Sequence, residues 1–210
     1  MYRNLVITII ILFIFITACK KDNNTITGNI SDLTTGEAIS NATVDLYFSE
    51  ISSSGNYNPT FKHFGTTTTD ASGNYRFEFD SKLFIELRLK FTKEGYHTTN
   101  IEFDPEGTSS FSYVKNMKLP IEAYLKVQLI KSSGNTTDNV MLRISGINPE
   151  CLVCCDEEQR NYYGNKINET FICPVVGGDS LHFEVLSGST QILKSLYCPP
   201  VDTTFFQILL

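Results

Sequence analysis

Apolar positions fall into two regimes along this chain. Leu5 to Ile16 (LVITIIILFIFI) is apolar throughout except for Thr8. From Thr25 onward, apolar residues recur at every second position in short runs broken by Gly, Asn, Asp and Ser. Ile85, Leu87, Leu89 and Phe91 alternate with Glu86, Arg88 and Lys90; Tyr75, Phe77 and Phe79 alternate with Arg76 and Glu78. A period of two places one set against a core and the other in water, which is the pattern of a half-buried strand. The same reading predicts strands over Ile26–Ser31, Thr43–Phe48, His63–Thr69, Tyr96–Phe103 and Ser112–Leu119. Alternation resumes beyond Pro120 at Leu125/Val127/Leu129, Val140/Leu142/Ile144 and Leu181/Phe183/Val185. Further strands are predicted over Glu169–Val176, Gln191–Leu196 and Thr203–Leu210. No run of useful length has helical periodicity. The expected fold class is all-β, with two tandem small β-sandwich domains at residues 25–119 and 120–210. Pro120 marks the boundary, because proline cannot donate to a ladder. No sequence repeat relates the halves.

The turns of the first half carry specific chemistry. In Asp70-Ala71-Ser72-Gly73-Asn74, the aspartate accepts from nearby backbone and the glycine supplies positive φ. Thr34-Thr35-Gly36-Glu37 and Lys93-Glu94-Gly95-Tyr96 are built alike. Taken in order, three segments resemble the carboxypeptidase regulatory-like domain family. They are Thr27 to Val44 (TGNISDLTTGEAISNATV), Thr68 to Phe77 (TTDASGNYRF) and Lys93 to Tyr96 (KEGY). The resemblance covers residues 25 to about 105. It departs at Ser40-Asn41, where the family usually has a glycine, and at the polar loop Ser49 to Pro59. The family implies a seven-stranded, transthyretin-like sandwich that binds or supports without catalysing. Its motif residues form turns, so they report a fold and not a reaction. The second half resembles no family.

The N-terminal apolar run is too short to span a bilayer comfortably as a helix and has the length of a signal-peptide core. Ile16-Thr17-Ala18-Cys19 follows, and it resembles the bacterial lipobox. That implies a lipoprotein signal peptide at 1–18, cleavage after Ala18, acylation of Cys19 and a lipidated tether at 19–24. Several acyl chains together hold a soluble domain on a membrane, where one alone is marginal. Lys20-Lys21-Asp22 looks like lipoproteins of the Bacteroidetes group. The expected location is the outer membrane, lipid-anchored on the periplasmic or the cell-surface side.

Composition narrows the function. With 41% hydrophobic and 19% charged residues, the chain is too apolar for disorder. Its formal charge of −6, from 17 basic and 23 acidic residues, argues against a nucleic-acid partner. The five cysteines beyond Cys19 are Cys151, Cys154, Cys155, Cys173 and Cys198. In an exported protein disulfides persist, and an odd count leaves one unpaired. The expected pairing ties the Cys151–Cys155 loop to Cys173 and Cys198 by one or two disulfides. The alternatives are a thiolate metal site, since Cys151-x-x-Cys154 has ligand spacing, or a thiol redox centre. His63, His97 and His182 have no metal-spaced partner, and the alternation around His182 places it facing solvent. Asp70 and Asn74 fall well short of a calcium ligand set.

No nucleophile elbow or carboxylate pair suggests an enzyme, and no cofactor is implied. The expected function is a non-catalytic, lipid-anchored envelope protein acting as a binding or structural module. Its partners would be the membrane, through the lipid, and a protein or glycan ligand. The loops Ser49 to Pro59 and Glu150 to Gly164 are candidate surfaces. The second carries Tyr162 and Tyr163, which either contact a ligand or cover the disulfides. The competing readings are a metal- or thiol-dependent protein using the Cys151–Cys198 cluster and an accessory subunit of an envelope complex.

Overall fold

A computed structural model describes residues 23–51, 57–80, 84–105, 111–135 and 137–210. The expected signal peptide at residues 1–18 and the expected lipidation site Cys19 lie outside the described residues. The described chain is all-β, and its strands fall into two sandwiches on either side of Pro120.

The first sandwich contains β1 (Asn23–Asp32), β2 (Thr43–Ile51), β3 (Tyr57–Thr68), β4 (Asn74–Asp80), β5 (Glu86–Thr92), β6 (Thr99–Phe103), β7 (Ser112–Val114) and β8 (Met117–Leu119). One sheet has the order β4-β1-β7, with β8 also on β1; the other has the order β3-β2-β5-β6. β1 pairs antiparallel with β4 and parallel with β7 and β8. Between the sheets lie Ile26 and Ile30, Val44 and Leu46, Phe77 and Phe79, and Leu87, Leu89 and Phe91. Phe77, Phe79, Leu87, Leu89 and Phe91 are inward positions read from the period of two, whereas Ile85, read the same way, lies before β5 and is half-buried.

The second sandwich contains β9 (Glu122–Lys131), β10 (Asn139–Ser145), β11 (Arg160–Tyr163), β12 (Ile167–Val176), β13 (Ser180–Ser187), β14 (Thr190–Tyr197) and β15 (Thr203–Leu209). Its sheets run β12-β9-β15 and β11-β10-β13-β14. Leu125, Val127, Leu129 and Ile208 meet Val140, Leu142, Leu181, Phe183 and Val185 in its core.

The halves share one connectivity. Placing β9 on β1, β10 on β2 and so on to β14 on β6, with β15 on the interrupted β7/β8, reproduces both sheet orders. In each half the last strand lies parallel to the first. Each half is thus one copy of the same seven-position plan, though the sequence shows no repeat.

The turn motifs of the first half lock to one another. Asp70 Oδ1 accepts from Ser72 and Asn74 N–H at 2.9 and 2.8 Å, and Gly73 has φ 77°. Asp32 Oδ1 accepts from Thr34 and Thr35 N–H, both at 2.8 Å, while its Oδ2 accepts from Tyr96 Oη at 3.0 Å. Lys93 Nζ donates to the Ser40 carbonyl at 2.9 Å. Asn41 sits at φ 54°. Asparagine is among the residues that tolerate this region.

Two segments read as loops are partly strand. β2 runs on to Ile51 and β3 starts at Tyr57, so only residues 52–56 of the Ser49–Pro59 segment fall between strands, and those lie outside the described residues. Residues 160–163 of the Glu150–Gly164 segment form β11. The predicted strand Tyr96–Phe103 begins at Thr99, because Tyr96 instead bridges to Ile121 across the domain boundary.

Candidate functional site: the cysteine loop and the interdomain joint

The second sandwich places four of its five cysteines in disulfides. A turn closed by Cys154 N–H on the Cys151 carbonyl, at 3.2 Å, brings Cys151 and Cys154 together with Cα atoms 5.4 Å apart. Cys155 bonds to Cys173 on β12, Cα to Cα 5.6 Å. Cys155 N–H also donates to the Pro174 carbonyl at 2.9 Å, so the loop pairs with β12 beside the bridge. The expected link between the loop and Cys198 is not made. Cys198 is a free thiol, buried in the core beyond the end of β14. Its backbone bonds to Gly178 and Asp179, which holds it apart from the loop. Burial pushes the Cys198 thiol pKa up, which suppresses the thiolate needed for metal binding or exchange. The four sulfurs once available to a metal are bonded in pairs. Among the described residues, no three His, Cys, Asp or Glu side chains gather as a ligand set.

Tyr162 and Tyr163 do not share a face. Neighbours on a strand point to opposite faces. Tyr162 packs against the second core, whereas Tyr163 is 71% exposed opposite Asn139. His182 lies on the exposed face of β13, its Nδ1 2.7 Å from Ser195 Oγ.

The cysteine loop also closes the joint between the halves. Cys151 and Val176 are buried against Leu33 of the first half, with Val153 and Cys154 packed alongside. Lys118 Nζ reaches Glu150 Oε2 at 2.7 Å across the boundary. The connecting backbone is bonded on both sides. His97 N–H donates to the Pro120 carbonyl at 3.0 Å and Glu122 N–H to the Gly95 carbonyl at 2.8 Å. Gly177 N–H donates to Ile121 and Val201 N–H to Glu122. His97 itself is buried, with Nε2 2.9 Å from the Val175 carbonyl and its ring edge-on to Tyr124 at 5.6 Å between centroids. Its role escaped the sequence reading. The one available sign was that no Gly- or Ser-rich linker separates Leu119 from Glu122, so the halves must abut.

No protein-family model and no curated protein matches the chain. Among solved structures, it is similar to the TIE protein of Bacillus anthracis at 14% identity and TM-score 0.36, over 90% of this chain and 34% of that one. A double mutant of the shaft pilin SpaA from Lactobacillus rhamnosus GG matches at 8% identity and TM-score 0.35, over 90% and 96%. 3-Chlorocatechol 1,2-dioxygenase from Rhodococcus opacus 1CP matches at 13% and 0.36, over 47% and 59%. The chain thus spans about a third of the first and less than two thirds of the last. At these TM-scores the likenesses carry no argument about function.

Proposed function

We propose that this is a lipid-anchored, non-catalytic envelope protein in which a carboxypeptidase regulatory-like sandwich holds a second sandwich at a set distance from the membrane. The observation that carries the reading is the joint. Residues 119–122 are hydrogen-bonded to both halves, and a buried apolar cluster and an ion pair close over them. Such a joint suits a brace or a display arm more than a flexible tether.

Strand direction supports the same reading. β1 starts at Asn23, opposite Asp80, and ends at Asp32, opposite Leu119 beside the joint. At about 3.3 Å per residue the strand is roughly 30 Å long. The tether from Cys19 therefore enters at the pole away from the second sandwich, which becomes the membrane-distal module and the one available to a protein or glycan partner.

Metabolic labelling with radioactive palmitate tests the anchor. Wild type should carry label and fractionate with membranes; Cys19→Ser should lose both. Unlabelled, soluble wild type would refute the proposal. Thiol titration in denaturant without reductant tests the non-catalytic part. One free thiol per lipidated chain is expected, whereas five free thiols with co-purifying zinc would favour the metal reading.

A further inference from the structure

We infer that β15 is a self-pairing edge, through which two copies of this chain join the β12-β9-β15 sheets into one six-stranded sheet. β15 lies at the end of its sheet, with β9 on one side only. An exposed strand edge is a template for another strand, and proteins ordinarily blunt it with charge, proline, bulges or brevity. The other edges here are blunted in those ways. β4 carries Arg76, β6 Glu102, β11 Arg160, β12 Pro174 and β14 Lys194. β3 pairs with β2 through two register shifts, and β7 and β8 have three residues each. β15 reads TTFFQIL: seven residues, no charge, no proline and a continuous register with β9.

The internal copy of the fold sharpens the case. In the first sandwich the equivalent last strand is interrupted between β7 and β8. Lys115, in the gap, lies over the rings of Phe103 and Tyr113 at 4.1 and 5.3 Å. That lysine shields the seam between the sheets and places a charge at the edge. β15 has neither the break nor the charge, so the fold does not itself require an unguarded last strand. Beside β9 the outward residues include Ile172 at 59% exposure, Phe205 at 52% and Leu209 at 64%, with Lys126 Nζ 5.8 Å from the Phe205 ring.

The free hydrogen-bonding groups can be assigned. Leu210 N–H bonds to the Ile130 carbonyl, and the Asp202 carbonyl accepts from Tyr124 N–H, so the even-numbered residues address β9. Alternate residues address opposite sides, which leaves the N–H and C=O of Phe205, Gln207 and Leu209 and the C=O of Thr203 on the open edge, while Thr203 N–H donates to Asp202 Oδ1 at 2.7 Å. An antiparallel two-fold pair centred on Phe206 sets Phe205 opposite Gln207 of the copy, and Thr203 opposite Leu209. The open-edge groups then pair in on the order of six bonds. A second copy is the occupant because every residue in such a pair lies opposite or diagonal to its own strand. A charge would there meet its own kind, and β15 has none. The outward Phe205 and Leu209 of the two copies then form one apolar surface. The contact is at the small end of specific interfaces, so the dimer is concentration-dependent.

Sedimentation of the full chain, in detergent with micelles in large excess over protein, tests this. Wild type should pass from monomer to dimer as concentration rises. Gln207→Pro removes one open-edge donor and leaves the β9 ladder intact, since proline is tolerated on that side of an edge strand. It should weaken association by about tenfold or more. Phe205→Lys should do the same through charge, which keeps the test decisive if the proline variant misfolds. Leu193→Lys, on the exposed face of β14, should leave association unchanged. A wild type that stays monomeric at about 0.5 mM, or a dimer indifferent to both β15 changes, would overturn the inference.

Discussion

The two sandwiches follow one strand plan but hold it with different chemistry. The first relies on aromatic rings and interlocked turns. Phe79 meets Phe84 at 5.6 Å, Tyr75 meets Phe91 at 5.8 Å, and Asp32 gathers bonds from two turns at once. The second has far fewer ring contacts, Phe183 on Phe206 at 4.6 Å among them, and adds two disulfides. A connectivity can therefore persist while the means of closing its ends is exchanged. Turn motifs identify a fold where the turns carry the stability, and they are lost where covalent bonds replace them.

The largest effect that probes this difference comes from the cores. Phe91→Ala in the first half and Phe183→Ala in the second each empty a fully buried site. Each should cost about 3–5 kcal/mol in chemical denaturation. If the joint couples the halves, both variants shift a single transition. If the halves unfold independently, each variant moves only its own transition, and the rigid-brace reading loses its support.

Next in size is the Cys155–Cys173 bridge, which spans 18 residues. Replacing both cysteines by alanine should destabilise the second half by about 3 kcal/mol, from the loop entropy restored to the unfolded chain. The Cys151–Cys154 bridge closes a span of 3, so the matching double variant should lose only about 2 kcal/mol by the same reckoning. Its stronger signature should lie at the joint, as faster amide exchange at Leu33 and Val176. Equal losses from the two bridges, or unchanged exchange at Leu33, would contradict the division of labour drawn between them.

Smaller again is Tyr96→Phe, which removes the Oη–H donated to Asp32 while keeping the ring. A loss of about 1 kcal/mol is expected. A null result would mean that the two backbone donors already satisfy Asp32, and that the late turn motif acts through Gly95 and not through its tyrosine.

These differences explain what was legible in the sequence. The inward residues of β4, β5, β9, β10 and β13 follow from alternation alone, because a half-buried strand imposes that pattern locally. The turns at Asp32, Asp70 and Gly95 were legible because an acceptor side chain and a positive-φ glycine act within a few residues. The shared plan was not legible, since which strands become neighbours depends on pairings between distant segments, and the turns of the second half do not repeat the motifs of the first. β11 was hidden because Asn161 and Gly164 flank two adjacent tyrosines and break the alternation. The cysteine pairing depended on the Cys151–Cys154 turn and on the backbone contacts of Cys198, neither of which spacing reveals. His97 stood beside a recognisable motif, but its role rests on a carbonyl 78 residues away.

The finest test separates the halves by pH. In the first, Asn74 and Ser72 N–H groups hold the Asp70 carboxyl below its usual range, and bonds from Asn23 and Arg76 do the same for Glu78. A depressed folded pKa contributes stability above the unfolded value, lost as pH falls through the folded one. In the second half Asp138 behaves likewise beside Lys131, but Asp179 is opposite: burial raises its pKa. Folding then favours its protonated form, so its contribution worsens as pH rises from the unfolded carboxylate value through the folded one. Asp179→Asn should therefore stabilise the second half at pH 7, by no more than about 0.5 kcal/mol for so accessible a group. The gain should vanish near pH 3, where the wild-type carboxyl is already neutral in both states. Paired thermal melts at the two pH values measure it. A gain that persists at pH 3 would assign the effect to packing of the amide and not to the partly desolvated charge.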